Sequence, residues 1–220
     1  SGAAAKAGAI IAPERGKLTV PKEYPPERDV SKEEPRIGVF VCHCGINIGG
    51  VVNVPEVVEY AKKLPNVVYA EHNLYTCSQD TQKAIREKIM EHNLNRVVVA
   101  SCTPRTHEPL FRETVREAGL NIYLFEMANI RDQCSWVHMH EPKEATTKSK
   151  DLVRAVVAKA RLLKPLPKPM INVLPAALVI GGGLSGITAS LELAKQGFDV
   201  HLVEREKELG GYARKIHYML

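Results

Sequence analysis

The sequence predicts an α/β protein built on parallel sheets, and three observations carry that expectation. Strand-like and helix-like segments alternate through residues 36–126, the pattern of successive βαβ units. A glycine-rich turn at 181–186 lies between a short apolar run and an alanine- and leucine-rich stretch. All five cysteines fall shortly after apolar runs of strand length, at the edge where a parallel sheet gathers the carboxyl ends of its strands and binds ligands.

The first strand is Ile37 to Val41, a continuous apolar run. A helix follows from Val54 to about Leu64, with Asn53 as its N-cap and Glu56 as a capping-box partner. Val67 to Glu71 is the second strand. The next helix, Gln79 to about His92, is capped by Ser78 and turns Ala84, Ile85, Ile89 and Met90 inward. Arg96 to Ala100 is the third strand. Thr103-Pro104 then supplies an N-cap with proline in the first turn, opening a helix that ends near Gly119. The fourth strand is expected at Asn121 to Phe125. Lys143 to Leu163 reads as a longer amphipathic helix with Leu152, Val153, Val156, Val157, Ala160 and Leu163 on one stripe. These elements predict a flavodoxin-like domain.

Four segments follow from this pass. Residues 1–35 read as an extended leader, proline- and charge-rich beyond Pro13, whose alanine-rich start without methionine points to an excised or processed chain. Residues 36–141 form the main domain, 142–169 a helix and a linker, and 170–220 an incomplete nucleotide-binding domain. The boundary is drawn at Lys164-Pro165-Leu166-Pro167-Lys168-Pro169, which cannot continue a helix.

Composition excludes several classes. With 45% hydrophobic and 25% charged residues the chain is globular rather than disordered. A net charge of +5 is too mild for a nucleic-acid partner. No apolar run approaches the roughly 18 residues of a membrane span, and the first residues lack the form of a secretory signal. An odd number of cysteines without such a signal points to a reducing, cytoplasmic setting, where clustered thiols serve metals or redox chemistry.

After the boundary, Leu178-Val179-Ile180 leads into Gly181-Gly182-Gly183-Leu184-Ser185-Gly186, a helix to about Gln196, a strand at Asp199 to Val203, and Glu204. This is the Rossmann-type fingerprint of strand, G-x-G-x-x-G, helix, strand and acid. Gly181 permits the tight turn, Gly183 lets backbone approach a pyrophosphate, and Gly186 lets helix pack on strand. The helix N-terminus would hold the pyrophosphate, and Glu204 the ribose hydroxyls. Ser185, Arg205, Gly210 and Gly211 complete the expected binding set. Glu208-Leu209-Gly210-Gly211 resembles the extended FAD fingerprint of flavoproteins with two dinucleotide-binding domains. No isoalloxazine pocket is expected within residues 170–220, so the segment alone should not retain FAD.

Cys42, Cys44, Cys77, Cys102 and Cys134 are the candidate metal ligands. Four thiolates suit either a tetrahedral zinc or an iron–sulfur cluster, and the spacing leaves that choice open. One of the five is surplus. Cys42, at a strand end, reads as the packed bystander, while Cys44-Gly45, in a turn with free amides, suits a cluster sulfide. Histidines 43, 72, 107 and 138 fall near the same edge and could ligate or donate protons, with a surface or capping role the first expectation for each, and Trp136 reads as packing.

Cys42-His43-Cys44-Gly45, Glu71-His72-Asn73-Leu74 leading to Cys77-Ser78, and Cys102-Thr103-Pro104-Arg105-Thr106-His107-Glu108-Pro109-Leu110-Phe111 resemble the amino-terminal domain of the A subunit of heterodisulfide reductase. So do Phe125-Glu126-Met127-Ala128-Asn129-Ile130-Arg131 and Cys134-Ser135-Trp136. The resemblance covers about residues 36–211. It implies an iron–sulfur flavoprotein oxidoreductase with a [4Fe–4S] cluster in this domain and FAD in the next. It further implies flavin-based electron bifurcation coupled to reduction of the CoM-S-S-CoB heterodisulfide or a related one. The implied partners are other heterodisulfide reductase subunits and a hydrogenase- or formate-dehydrogenase-type electron donor. The competing expectation is a structural module with zinc or no metal. The leader is longer than the family pattern, and the flavin domain is represented only by its first β-α-β unit.

Overall fold

The computed structural model describes residues 2–17 and 19–216. In chain order its main elements are α1 (Gly2–Ile11), β1 (Ile37–Cys42), α2 (Ile46–Gly49), α3 (Val54–Ala61), β2 (Val67–Asn73), α4 (Gln79–Glu91), β3 (Arg96–Ser101), α5 (Pro104–Glu117), β4 (Phe125–Asn129), α6 (Pro142–Ala160), β5 (Ala176–Ile180), α7 (Leu184–Lys195) and β6 (Asp199–Val203). They group into two compact units, residues 23–168 and residues 1–22 with 169–220.

The first unit holds a four-stranded parallel sheet in the order β2-β1-β3-β4. This is the flavodoxin-like order, whose direction reverses between β1 and β3 and opens a crevice at their carboxyl ends. β1 and β3 are buried along their whole length, as continuous apolar runs between helical layers must be. Successive side chains go to opposite faces. Val39, Val41, Val98 and Ala100 pack under α3 and α6, whereas Phe40, Val97, Val99 and Phe125 pack under α4 and α5. Gly38 lies where Leu94, wholly buried, presses on β1; a Cβ there would stand 2.3 Å from Leu94 Cδ1. Gly38→Ala is therefore expected to overpack this core and cost about 1–3 kcal/mol, read as a lowered urea midpoint with an unchanged slope.

Several boundaries depart from the sequence expectation. The fourth strand runs from Phe125 to Asn129, not from Asn121. Asn121 instead closes a turn, its side-chain oxygen accepting from the Tyr123 amide and its amide group donating to Glu27 and to the Leu166 carbonyl. Met90, expected inside, is exposed because Ile85 and Ile89 already fill the contact of α4 with the sheet. The Asn53 cap forms, accepting from the Glu56 amide, but the Glu56 carboxylate pairs with Lys150 instead of returning to the cap.

The segments read as leader and linker are working parts. Residues 23–35 stay irregular yet pack onto the first unit: Val30 is fully buried, and Arg28 donates to the Leu94 carbonyl. The long helix α6 covers the β3–β4 end of the sheet through Ala145, Val153, Val157 and Ala160. Arg96 holds its far end, donating from Nε and Nη2 to the Leu163 carbonyl at 3.1 and 2.7 Å. The apolar stripe of α6, the helix after the last strand of this sheet, is met by the sheet itself, which otherwise would leave Val98 and Ala128 open to water.

In the second unit β5 and β6 form a parallel pair, with α7 crossing between them. Residues 2–17 belong here, with α1 packed on α7 and the Arg15 guanidinium 4.1 Å over the Phe198 ring.

Candidate functional site

The loops after β1, β2 and β3 deliver four thiols to the crevice at the switch point. The registers pair Cys42 with Asn73 and Ser101 with Asn129, so these strand ends lie level. Cys42 closes β1. Cys44 and Gly45 follow in the left-handed region, at φ 46° and 56°, a conformation unusual for a non-glycine residue and characteristic of sites that hold local strain. At Gly45 the positive φ favours glycine, and the half-exposed Tyr75 hydroxyl lies over the place a Cβ would take.

The Cys42 sulfur accepts from two backbone amides, Cys44 at 3.2 Å and Thr76 at 3.3 Å. Buried at the strand end as expected, Cys42 thus has its sulfur held by backbone amides rather than by apolar packing alone. Cys77 lies within electrostatic reach of Cys42 and Cys44, and these neighbours add to burial in pushing its thiol up. Burial also raises the Cys102 thiol, opposed by Arg131 and Ser101 and reinforced by Cys44 and Cys42. Among the described residues, the Thr76 hydroxyl is buried without a hydrogen-bond partner beside these thiols.

Cys134 goes elsewhere. It follows the edge strand β4, is fully buried in the core under α6, and has Ser149 and Lys148 as its polar neighbours. Burial pushes its thiol up. Proximity to the strand ends in sequence is not proximity to the crevice, because a turn of i→i+5 hydrogen bonds at Arg131–Ser135 rotates this thiol inward.

Of the histidines, His43 and His72 meet at 3.1 Å between Nε2 and Nδ1. Burial, then His72, holds the His43 imidazole below its ordinary value. His107 packs edge-on to Phe111, and His138 pairs with Glu141 at 2.9 Å. Trp136, 46% exposed, packs against the Arg131 guanidinium and not in the core. Arg131, absent from the sequence-based candidates, places Nη1 at 4.0 Å from the Cys44 sulfur. Its signal was a cation in the loop after a strand at the ligand-binding edge.

Four cysteine sulfurs are the ligand type that an iron–sulfur cluster takes, and a zinc ion as well. Among the described residues no three His, Cys, Asp or Glu side chains converge closely enough to hold one metal ion. A cubane is larger than an ion, so the thiolates that hold one stand further apart around it.

The second unit carries the glycine turn. Gly181 has φ 107°, outside the range of other residues, and a Cβ on Gly186 would stand 1.8 Å from the Gly181 carbonyl oxygen. Nothing lies within 4 Å of a Cβ built on Gly183, which leaves the approach to the α7 N-terminus open. Gly210 donates to the Gly182 carbonyl at 2.7 Å and bridges to Gly183, so the 208–211 run docks on the turn. Ser185 lies in the first turn of α7, and the Arg205 guanidinium, 91% exposed, pairs with Glu206.

Glu204 accepts from the Glu206 amide at 2.9 Å and the Gly182 amide at 2.7 Å. These amides hold its carboxyl below the usual range. Its folded value lies below its unfolded one, so the stabilisation is complete above the ordinary carboxylate range and disappears as pH falls through the depressed value. Glu204→Gln is expected to flatten that acid limb selectively, checked by following β5–α7 unfolding across the carboxylate range in both proteins.

Residues 179–218 match the NAD(P)-binding Rossmann-like domain family. An iron–sulfur A subunit of CoB–CoM heterodisulfide reductase from Methanopyrus kandleri is 60% identical over 83% of the chain and 28% of its own length. The A subunit of the H(2):CoB-CoM heterodisulfide,ferredoxin reductase of Methanothermobacter thermautotrophicus is 56% identical over 84% and 28%. The A subunit of the ferredoxin:CoB-CoM heterodisulfide reductase of Methanosarcina mazei is 49% identical over 80% and 22%. The chain thus spans about a quarter of the length of these relatives. Over the stretch it shares with them, the chain belongs with the A subunits of heterodisulfide reductases.

Proposed function

We propose that this chain is an electron-transfer segment of an iron–sulfur flavoprotein oxidoreductase of the heterodisulfide reductase type, with a [4Fe–4S] cluster held by Cys42, Cys44, Cys77 and Cys102. The observation that carries this reading is the switch-point crevice, where four thiols gather and the Cys42 sulfur already receives two amides. A bound cluster supplies one-electron storage at a potential set by burial and hydrogen bonds to sulfur. The Cys44 and Thr76 amides supply such hydrogen bonds. The apolar layer under α3 and α6 keeps water from the inner side of the crevice.

In the second unit FAD, when bound, supplies exchange between two-electron and one-electron chemistry. The α7 N-terminus and Gly183 would take its pyrophosphate. Glu204 would take the ribose hydroxyls through the acceptor capacity its two amide bonds leave free. Ser185, Arg205, Gly210 and Gly211 would line that site.

For the whole protein the corresponding reaction is flavin-based electron bifurcation coupled to CoB–CoM heterodisulfide reduction, in a cytoplasmic complex. The partners are further heterodisulfide reductase subunits and a hydrogenase- or formate-dehydrogenase-type donor. The names of the relatives, which specify hydrogen or ferredoxin, support this class of chemistry. Among the described residues no helix is long and apolar enough to cross a membrane.

The test is anaerobic reconstitution of the chain with iron and sulfide. About four irons and four sulfides per chain, with a broad visible band that dithionite bleaches, are expected of a cubane. A colourless protein with one tightly bound zinc would overturn the reading in favour of a structural module.

A further inference from the structure

Arg131 stands at the end of β4 in a turn whose hydrogen bonds skip five residues, Ser135 to the Ile130 carbonyl at 3.1 Å and Trp136 to the Arg131 carbonyl at 2.9 Å. Such π-type turns are rare and frequently fall at functional sites. This one returns Trp136 beneath Arg131, with the guanidinium 4.5 Å over the indole ring. Asp132 lies 3.5 Å from Arg131 Nε, but Nε and Asp132 Oδ2 are both buried without a hydrogen-bond partner. Hydrogen bonding along the Asp132 side therefore does not fix the guanidinium. Ring stacking on one side and the Cys44 sulfur at 4.0 Å on the other position it. Cys102 also lies within its electrostatic reach. Arg131 thus presents a permanent positive charge, about one-fifth exposed, to two of the four thiols.

Resting on the cluster reading above, we propose that Arg131 tunes that centre, its fixed charge raising the reduction potential by favouring the more negative, one-electron-reduced site. The electron comes from an external reductant, and the site's net charge falls by one. No proton or bond changes at Arg131. Attraction between the guanidinium and that added charge is weakened by water but not abolished, because the arginine is largely covered. Trp136 holds the guanidinium by cation–π contact while exposing its outer edge.

Arg131→Met, Arg131→Lys and Trp136→Leu are compared with the parent chain after anaerobic reconstitution. Iron and sulfide are measured first, then the midpoint potential by mediated dithionite titration followed by electron paramagnetic resonance. Arg131→Met is expected to lower the reduced-to-oxidised ratio about tenfold at a fixed ambient potential, a shift of about 59 mV for one electron. Arg131→Lys should recover most of that shift, and Trp136→Leu should show a smaller one in the same direction. An unchanged potential in a fully loaded Arg131→Met chain would overturn the tuning role, as would a lysine variant shifted as far as methionine. If Arg131→Met fails to load, an unmoved potential in loaded Trp136→Leu overturns it instead. A parent chain without iron and sulfide would fail the cluster reading itself, a result distinct from these and fatal to both.

Discussion

Cys42→Ser is expected to strip the reconstituted chain of most of its iron and sulfide, whereas Cys134→Ala leaves both at parental levels. The sequence ranked these two thiols the other way round. Cys42 ends β1 at the switch point, and its sulfur is the acceptor of the Cys44 and Thr76 amides. A serine oxygen is a poorer ligand for iron than a thiolate, so the loop after β1 loses the partner around which it is arranged. Cys44 is then left in its left-handed conformation at φ 46° with less to hold it there. Cys134 faces the opposite way, into the layer formed with Ala145, Val153 and Val157. Trimming its sulfur leaves a small cavity, expected to cost about 1 kcal/mol by analogy with buried methyl groups. Iron and sulfide analysis separates the two outcomes, with urea denaturation reporting the cavity. Full iron in Cys42→Ser, or an iron-free Cys134→Ala that is still folded, would remove Cys42 from the ligand set or restore Cys134 to it.

The reach of sequence reasoning can be judged element by element. Apolar runs located β1 and β3 because strands buried on both faces leave a one-dimensional signature, and the glycine turn was legible because its motif fixes residue types at set spacings. Thr103-Pro104 and Ser78 announced their helices through the chemistry of capping, and both side chains cap as expected. The errors fell where a residue's role depends on partners distant in sequence. Asn121 to Leu124 look like strand until Asn121 is seen bonding to residues 27 and 166. The stripe on α6 gave no hint whether its cover would be the sheet or a partner. A cysteine's direction depends on one or two backbone dihedrals after the strand, and no hydropathy pattern records those. The same holds for Arg131, whose aim comes from a five-residue turn that its composition does not betray.

The second large effect is expected at the glycine turn, where Gly183 and Gly186 should fail in different ways. Gly186→Ala would place a Cβ 1.8 Å from the Gly181 carbonyl oxygen and 3.0 Å from its carbon. Both atoms are backbone, so no side chain can rotate to relieve the clash, and the first turn of α7 must lift from β5. That turn carries the unpaired amides that would receive a pyrophosphate. Faster hydrogen exchange along residues 184–195 should accompany loss of nucleotide binding. At Gly183 the backbone, with φ −75° and ψ −175°, accepts any residue, and a Cβ meets nothing within 4 Å. Gly183→Ala should therefore keep parental exchange in α7, while its methyl group intrudes on the ligand's approach and weakens binding. ADP, the part of a dinucleotide that this β-α-β unit would contact, is the probe, with binding read by calorimetry. At least a tenfold loss is expected for both variants, about 1.4 kcal/mol, with altered exchange in Gly186→Ala alone. ADP binding that survives Gly186→Ala unchanged would mean that the anion is not held at the α7 N-terminus. Equal exchange in the two variants would mean that the contact between Gly186 and Gly181 does not anchor the helix. Iron content after reconstitution should match the parent in both proteins, since every thiol lies in residues 23–168.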